Sequence, residues 1–358
     1  MVHITLLGTI FLAFALRKSG LKIQSIPFII LCTFASLRYD FGNDYMSYYK
    51  KYKYIHATGK SYFDEYLFTF LNKISPSFYI MIAIISVAFV FIVWKMVKAN
   101  VKKEYIWVSV FIFVISPYLF LMNLSAIRQC LAMLLFIISV KYIIDKNFIK
   151  YAVCIIIGCF FHKSAVILLP IYFFINTKKL SKKQIFIIVT AVIVLITVFD
   201  FNNFMIKIAI LFDDTNYMHY ATSGLENSIR ATLLASIYMI YVLLNTRKVS
   251  GDKSVYVKLY LIGTIFGVLA FRFSILTRIQ MYFDIFAIVA IPAIMEQIPM
   301  TGYIYIKRNK PVETIMDLLN RYALPCCIVL IYCLRYYSFF NNSLWDAFKT
   351  YKTIIPLL

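Results

Sequence analysis

The chain has 358 residues, of which 62% are hydrophobic and only 15% charged, and its mean hydropathy is +0.80. Soluble domains carry about a quarter charged residues, so this composition excludes one and describes an integral membrane protein. The net charge of +21, from 37 basic and 16 acidic residues, invites a nucleic-acid reading. The cations sit in short clusters between apolar runs, however, which is the pattern of membrane topology and argues against a nucleic-acid partner.

In chain order, apolar runs fall at residues 2–16, 22–37, 77–97, 105–122, 126–144, 151–161, 164–176, 185–199, 230–245, 255–276, 279–298 and 321–337. A straight span of about 30 Å of hydrocarbon needs about 20 helical residues. The pattern predicts an all-α polytopic membrane protein with about 12 transmembrane or half-spanning helices. The pair 151–161 and 164–176 is either two spans or one re-entrant hairpin. Arg17 and Lys18 follow the first run instead of preceding it, and no small-residue cleavage site is evident, so that run is expected to be a membrane helix and not a signal peptide. With no repeat, low-complexity tract or Gly/Ser linker, a single integral membrane domain over 1–358 is expected. The seven cysteines all lie in apolar runs without a C-x-x-C pair and read as packing residues.

Short cytoplasmic loops should hold the Lys and Arg. Six alternate connections do: Arg17, Lys18 and Lys22; Lys95, Lys98, Lys102 and Lys103; Lys141, Lys146 and Lys150; Lys178, Lys179, Lys182 and Lys183; Arg247, Lys248, Lys253 and Lys258; Lys307, Arg308, Lys310 and Arg321. Together they hold more than half of the 37 basic residues. Both termini are therefore expected outside, with the long loop 38–76, the loop 200–230 carrying Asp213, Asp214, Tyr217, His219 and Tyr220, and a tail over 338–358 with Trp345, Asp346 and Tyr351. Aromatic rings and carboxylates on one side suit sugars, which stack on rings and bond carboxylates through hydroxyls. The plainer reading of each ring is the aromatic belt of a membrane interface.

Four polar clusters could carry chemistry. Arg38 ends the second run on the side where positive charge is disfavoured; it either pairs with Asp40 or offers a planar fork to a phosphate or carboxylate. Asp44, Tyr45, Tyr48 and Tyr49 follow, and a surface helix over 43–54 would put Asp44, Tyr48 and Lys51 or Tyr52 on one face. Arg128 and Gln129 open the run 126–144, where an arginine is costly and so a functional candidate. His162, between two short apolar halves, has a side chain of the type that moves protons at physiological pH. Arg272 and Arg278 sit outward of the joint near residue 276, with Tyr282 one turn beyond Arg278 and Asp284 in need of a partner. No second His, and no Cys or Asp set, has the spacing of a metal site.

Arg38 with Gly42, Asp44 and Tyr48, Arg128-Gln129, Phe161-His162 with Ser164-Ala165, and Arg278 with Tyr282 stand in an order that resembles the EpsG family of bacterial exopolysaccharide proteins, grouped with Wzy-type polymerases. The resemblance implies a GT-C-like, metal-independent glycosyltransferase without cofactor in the bacterial cytoplasmic (inner) membrane. Its substrates would be oligosaccharide repeat units on undecaprenyl diphosphate or a related polyprenyl diphosphate, joined at the outer face into exopolysaccharide, capsule or O-antigen. Its partners would be the bilayer, a flippase and a chain-length regulator. In that reading Arg128, Arg272, Arg278 and Arg38 bind diphosphate, and Asp40, Tyr45, Tyr48, Gln129 and Tyr282 hold sugar. His162 and Asp44 are the catalytic candidates, His162 as base and Asp44 as base or acceptor anchor. Asp40 departs from the pattern, which leaves open which of Asp40 and Asp44 matters. A lipid-linked oligosaccharide flippase is the alternative; it would line its helices with charge at mid-depth and show repeat symmetry.

Overall fold

A computed structural model describes residues 1–175, 178–197, 229–271, 276–297 and 323–355. Residues 200–228 of the loop 200–230, Arg272 and the basic connection Lys307–Arg321 lie outside the described residues. The chain groups into two compact units, Met1–Asn176 with Tyr332–Leu358, and Thr177–Ile331.

The first unit is built on α1 (Val2–Ala15), α2 (Ile26–Ser36), α3 (Tyr45–Thr58), α4 (Tyr66–Ile74), α5 (Phe78–Asn100), α6 (Ile106–Ile115), α7 (Leu121–Ser125), α8 (Ile127–Ile144), α9 (Phe148–Phe161) and α10 (Ile171–Phe174). At 1.5 Å per residue, the 23 residues of α5 reach about 35 Å, enough to cross hydrocarbon. Ser77 caps its start by accepting from the Tyr79 N–H at 3.2 Å. One side of α5 buries Met81, Ile82, Ile85 and Phe89, while Ile80, Ile84, Val87 and Phe91 stay exposed at helical spacing. An apolar outer stripe opposite an apolar core is what a lipid-facing helix needs.

Breaks in the helices gather at one end of this unit. α6 stops at Ile115 because Ser116 precedes Pro117 and is pushed into an extended conformation (ψ 105°). Ala126, at ψ 59°, separates α7 from α8. His162, at φ −158°, ends α9, and the 3-10 segment Lys163–Leu168 and α10 then run back along it. The Tyr151 hydroxyl donates to the Leu168 carbonyl at 2.5 Å, and Phe148 meets Phe173 at 5.1 Å between centroids. Residues 148–174 thus form a tight helical hairpin, each arm too short to cross alone. The other ends of α1, α5, α8 and α9 abut Arg17, Lys18, Lys98, Lys102, Lys141, Lys146 and Lys150. The helix ends away from the breaks carry Lys and Arg with only Glu104 and Asp145 beside them, whereas the broken end mixes its cations with Asp40, Asp44, Asp64, Glu65 and Asp346.

At the broken end, the stretch after α2 meets the tail. Strand β1 (Arg38–Tyr39) pairs antiparallel with β2 (Lys352–Thr353). Ile354 N–H donates to Leu37 O at 3.0 Å, Gly42 N–H to Ala347 O at 3.2 Å, and the Tyr351 hydroxyl to Phe34 O at 2.6 Å. Gly42 turns the chain here at φ +104°, a conformation that a side chain resists, and a Cβ would fall 3.3 Å from Ser125 Cβ and 3.4 Å from the Phe348 ring.

The second unit contains α11 (Lys182–Thr197), α12 (Ile229–Asn245), α13 (Lys253–Leu269), α14 (Leu276–Asp284) and α15 (Ala287–Met295). A bend of 53° separates α14 from α15. Gly263 and Gly267 on α13 admit α14 closely: a Cβ at Gly263 would lie 2.9 Å from Phe283 Cβ and 2.9 Å from Asp284 Oδ1. Lys253 and Glu296 pair at 2.6 Å. The last helix, α16 (Leu324–Asn341), belongs to the first unit from Tyr332 onward.

The chain is a helical membrane protein. Helices stand where the apolar runs predict them, but among the described residues only α5, α8 and α16 are long and apolar enough to cross, and the bent pair α14–α15 makes a fourth. The run 105–122 is cut short at Ser116, and 279–298 is divided at residues 285–286. Gly42→Ala is expected to cost about 1–3 kcal/mol, from backbone strain and crowding against Phe348. Thermal unfolding in detergent should show the loss, together with faster proteolysis of the tail, while Gly20→Ala, which has open space around it, should leave both unchanged.

Candidate functional site

Arg128 is the second residue of α8, just past the break at Ala126. A guanidinium at the head of an apolar helix needs a counter-charge, and Glu65, immediately before α4, supplies it. Arg128 Nη1–H donates to both Glu65 oxygens, at 2.9 and 2.8 Å. Its Nε–H reaches the Tyr48 hydroxyl at 3.4 Å, and the guanidinium carbon lies 5.2 Å from the Phe63 ring centroid. Nη2 makes no hydrogen bond among the described residues. The Glu65 side chain is 7% exposed and that of Arg128 29%, so the pair is closed on the carboxylate side and open on the guanidinium side.

His162 joins the same carboxylate. Its Nδ1 stands 3.6 Å from Glu65 Oε1, slightly beyond hydrogen-bond length, and is buried with no hydrogen-bond partner among the described residues. Burial by itself would raise the Glu65 pKa. The His162 ring and the Arg128 charge outweigh that and hold the carboxyl down to about 2. A carboxylate this acidic is a poor base but a durable counter-ion and orienting group. An imidazole with Nδ1 turned to such a carboxylate can take a proton at Nε2.

Asp44 approaches from α3. Its N–H donates to Ser125 Oγ at 3.0 Å, and the Ser125 hydroxyl donates to Asp44 Oδ2 at 3.2 Å. The carboxylate remains exposed. Tyr48, one turn on, is buried, and that burial pushes its phenol pKa up, so it stays protonated. At the rim, Lys163 and Asp64 pair at 3.2 Å.

Three of the four sequence clusters therefore meet: Asp44 and Tyr48 from α3, Arg128 from α8 and His162 from the end of α9. The fourth belongs to the second unit, where Arg278 is exposed and Tyr282 is 1% exposed. Arg272 is outside the described residues. Arg38 is 1% exposed; Nη1 donates to Ala35 O and to Ser86 Oγ, and Nη2 to Leu124 O at 3.2 Å. These carbonyls lie at the ends of α2 and α7, where helical acceptors run out, and the guanidinium caps them. Tyr45, also 1% exposed, donates through its hydroxyl to Arg38 O at 3.1 Å. Gln129 is buried at 6%. Asp40, at φ 46°, is 3.9 Å from Lys352.

The residue missed from sequence is Glu65. The signal was present: an arginine inside an apolar run requires a carboxylate, and loop 38–76 offers only Asp40, Asp44, Asp64 and Glu65.

Because the folded pKa of Glu65 lies below the usual 4.5, the stability it contributes is complete above that value and is lost as pH falls from 4.5 toward 2. Glu65→Gln should lower stability at pH 7 by about 2–3 kcal/mol, and the gap from the unaltered protein should narrow at pH 3 when detergent-solubilised samples are melted at both pH values. A gap of equal size at pH 3 would rule out the ion pair as its source.

Neither a curated protein nor a solved structure matches the chain. A model of the EpsG family matches residues 22–353, which takes in Asp44, Glu65, Arg128, His162 and both strands of the clasp. The chain belongs to the EpsG family.

Proposed function

We propose that this membrane protein is a glycosyltransferase of polysaccharide biosynthesis, a Wzy-like polymerase with a GT-C-like arrangement of helices. It joins oligosaccharide repeat units carried on polyprenyl diphosphate at the outer face of the bacterial cytoplasmic membrane. EpsG membership supports the polymerase class. The observation that carries the reading is the meeting of Arg128 and His162 at Glu65, with Asp44 held nearby by Ser125, at the broken end of the first unit. The basic residues that follow α1, α5 and α8 make that end the outer one by the positive-inside rule, with the start of α1 and the described part of the tail beside it.

In this mechanism the acceptor hydroxyl gives its proton to His162 Nε2 while its oxygen attacks the anomeric carbon of the donor. The bond from that carbon to the diphosphate oxygen breaks, and the lipid diphosphate leaves with the electron pair. Arg128 stabilises the charge that develops on it without a divalent metal. Glu65 orients the imidazole and stabilises it once protonated. Asp44, exposed and fixed by Ser125, orients the acceptor hydroxyl.

Proteoliposomes charged with lipid-linked repeat units should yield ladders of longer glycan. His162→Ala should cut the rate by roughly 10²–10⁴-fold, and Asp44→Ala should act mainly on the KM for acceptor. Labelled lipid that crosses the bilayer without any lengthening of glycan would replace the polymerase with a flippase. Ladders of normal length and rate in His162→Ala would remove that residue as the base.

A further inference from the structure

Around Phe63 three carboxylates face three cations, but the pairing is uneven. Glu65 is engaged by Arg128, Asp64 by Lys163 and Asp44 by Ser125. Lys51, half-buried on α3 one turn beyond Tyr48, has neither an ion pair nor a hydrogen bond among the described residues. Its Nζ lies 5.2 Å from the Phe63 centroid and 5.0 Å from that of Tyr62. Arg128 Cζ is also 5.2 Å from the Phe63 centroid, so one ring serves two cations. A ring face attracts a cation without neutralising it. Burial, and after it the Arg128 charge, pull the Lys51 pKa down, while Asp44 and Glu65 pull it up; these groups are within electrostatic reach of one another.

We propose that Lys51 and the Nη2 edge of Arg128, gathered about Phe63, form a two-point clamp for a diphosphate, and that Lys51 makes the site prefer a diphosphate to a monophosphate. The proposal rests on the polymerase reading for its choice of anion. Each phosphoryl group of a diphosphate can meet one cation, Arg128 through an N–H edge and Lys51 as a compact charge. A monophosphate meets the pair less completely. Glu65 keeps Arg128 in place while leaving that edge open, so the clamp is ordered before its ligand arrives. Phe63 fixes the spacing between the two cations and, being uncharged, puts no negative group between them.

The test is binding to the full-length chain in nanodiscs, by titration calorimetry with inorganic pyrophosphate, inorganic phosphate, farnesyl diphosphate and sodium glucuronate. The unaltered protein should bind pyrophosphate about tenfold or more tightly than phosphate. K51Q should shrink that ratio to about threefold or less, and K51R should restore it, with all three melting alike. A merely structural lysine would not change the ratio. An unchanged ratio in K51Q, no pyrophosphate binding by the unaltered protein, or glucuronate displacing pyrophosphate at lower concentration would each overturn the clamp. Farnesyl diphosphate competing at the same site marks a lipid headgroup; pyrophosphate binding without that competition keeps the clamp and makes its ligand a free diphosphate. A Lys51-dependent preference in a chain that extends no glycan keeps the clamp and rejects the polymerase. Glycan extension by a chain whose K51Q variant retains the preference does the reverse.

Discussion

A carboxylate and a guanidinium that neutralise each other at the head of a membrane helix set the terms for everything around them. Neither charge would be tolerated there alone, because an ion removed from water without a partner costs several kcal/mol. Their attraction is strong because the surroundings are poor in water. Once Glu65 is fixed to Arg128, the start of α4 is fixed to the start of α8, although the two residues are 63 apart in sequence. His162 arrives at the same carboxylate from a third segment, so a single acidic side chain sets the relative position of three pieces of chain.

The helix breaks belong to the same arrangement. Unpaired backbone groups are tolerated near hydrocarbon only where protein satisfies them. Ser116, Ala126 and His162 interrupt their helices at one end of the first unit, and Arg38 donates from Nη1 and Nη2 to carbonyls of two of the helices that stop there. Two arginines thus divide the work: one, fully buried, holds helix ends together, and the other keeps an open edge toward solvent.

Apolar runs and charge alternation made most of the helices legible, since hydrocarbon thickness and loop charge leave a direct trace in composition. The helix over Tyr45–Thr58 was legible too, from the spacing of Asp44, Tyr48 and Tyr52. The helix Tyr66–Ile74 was not, because Tyr66, Phe70 and Ile74 are exposed on it and its pattern runs against the usual inside-out rule. Arg128, Asp44 and His162 could be singled out because each is chemically out of place. Their meeting could not, because the link between them is Glu65, a residue unremarkable within its own polar loop. Arg38 reads in sequence as an outward-facing fork, and only the carbonyls of Ala35 and Leu124 show what that fork holds. Tyr45 likewise reads as a sugar platform until its hydroxyl is found tied to Arg38 O.

The clasp of Arg38–Tyr39 with Lys352–Thr353 bears on how the protein is made. Tyr351 seals against Phe34 across 317 residues of chain, an interval of roughly 15–60 s at ordinary rates of synthesis. For that whole period the membrane holds a chain whose second helix, Gly42 turn and Ser125–Asp44 contact have no outer cover. The wall of the site beside Asp44 closes only when the final helix has been inserted and the segment after it has folded back. The cover over the Gly42 turn is therefore tied to synthesis of the segment after α16, and a nascent chain halted before Tyr351 has most of its membrane helices without that cover.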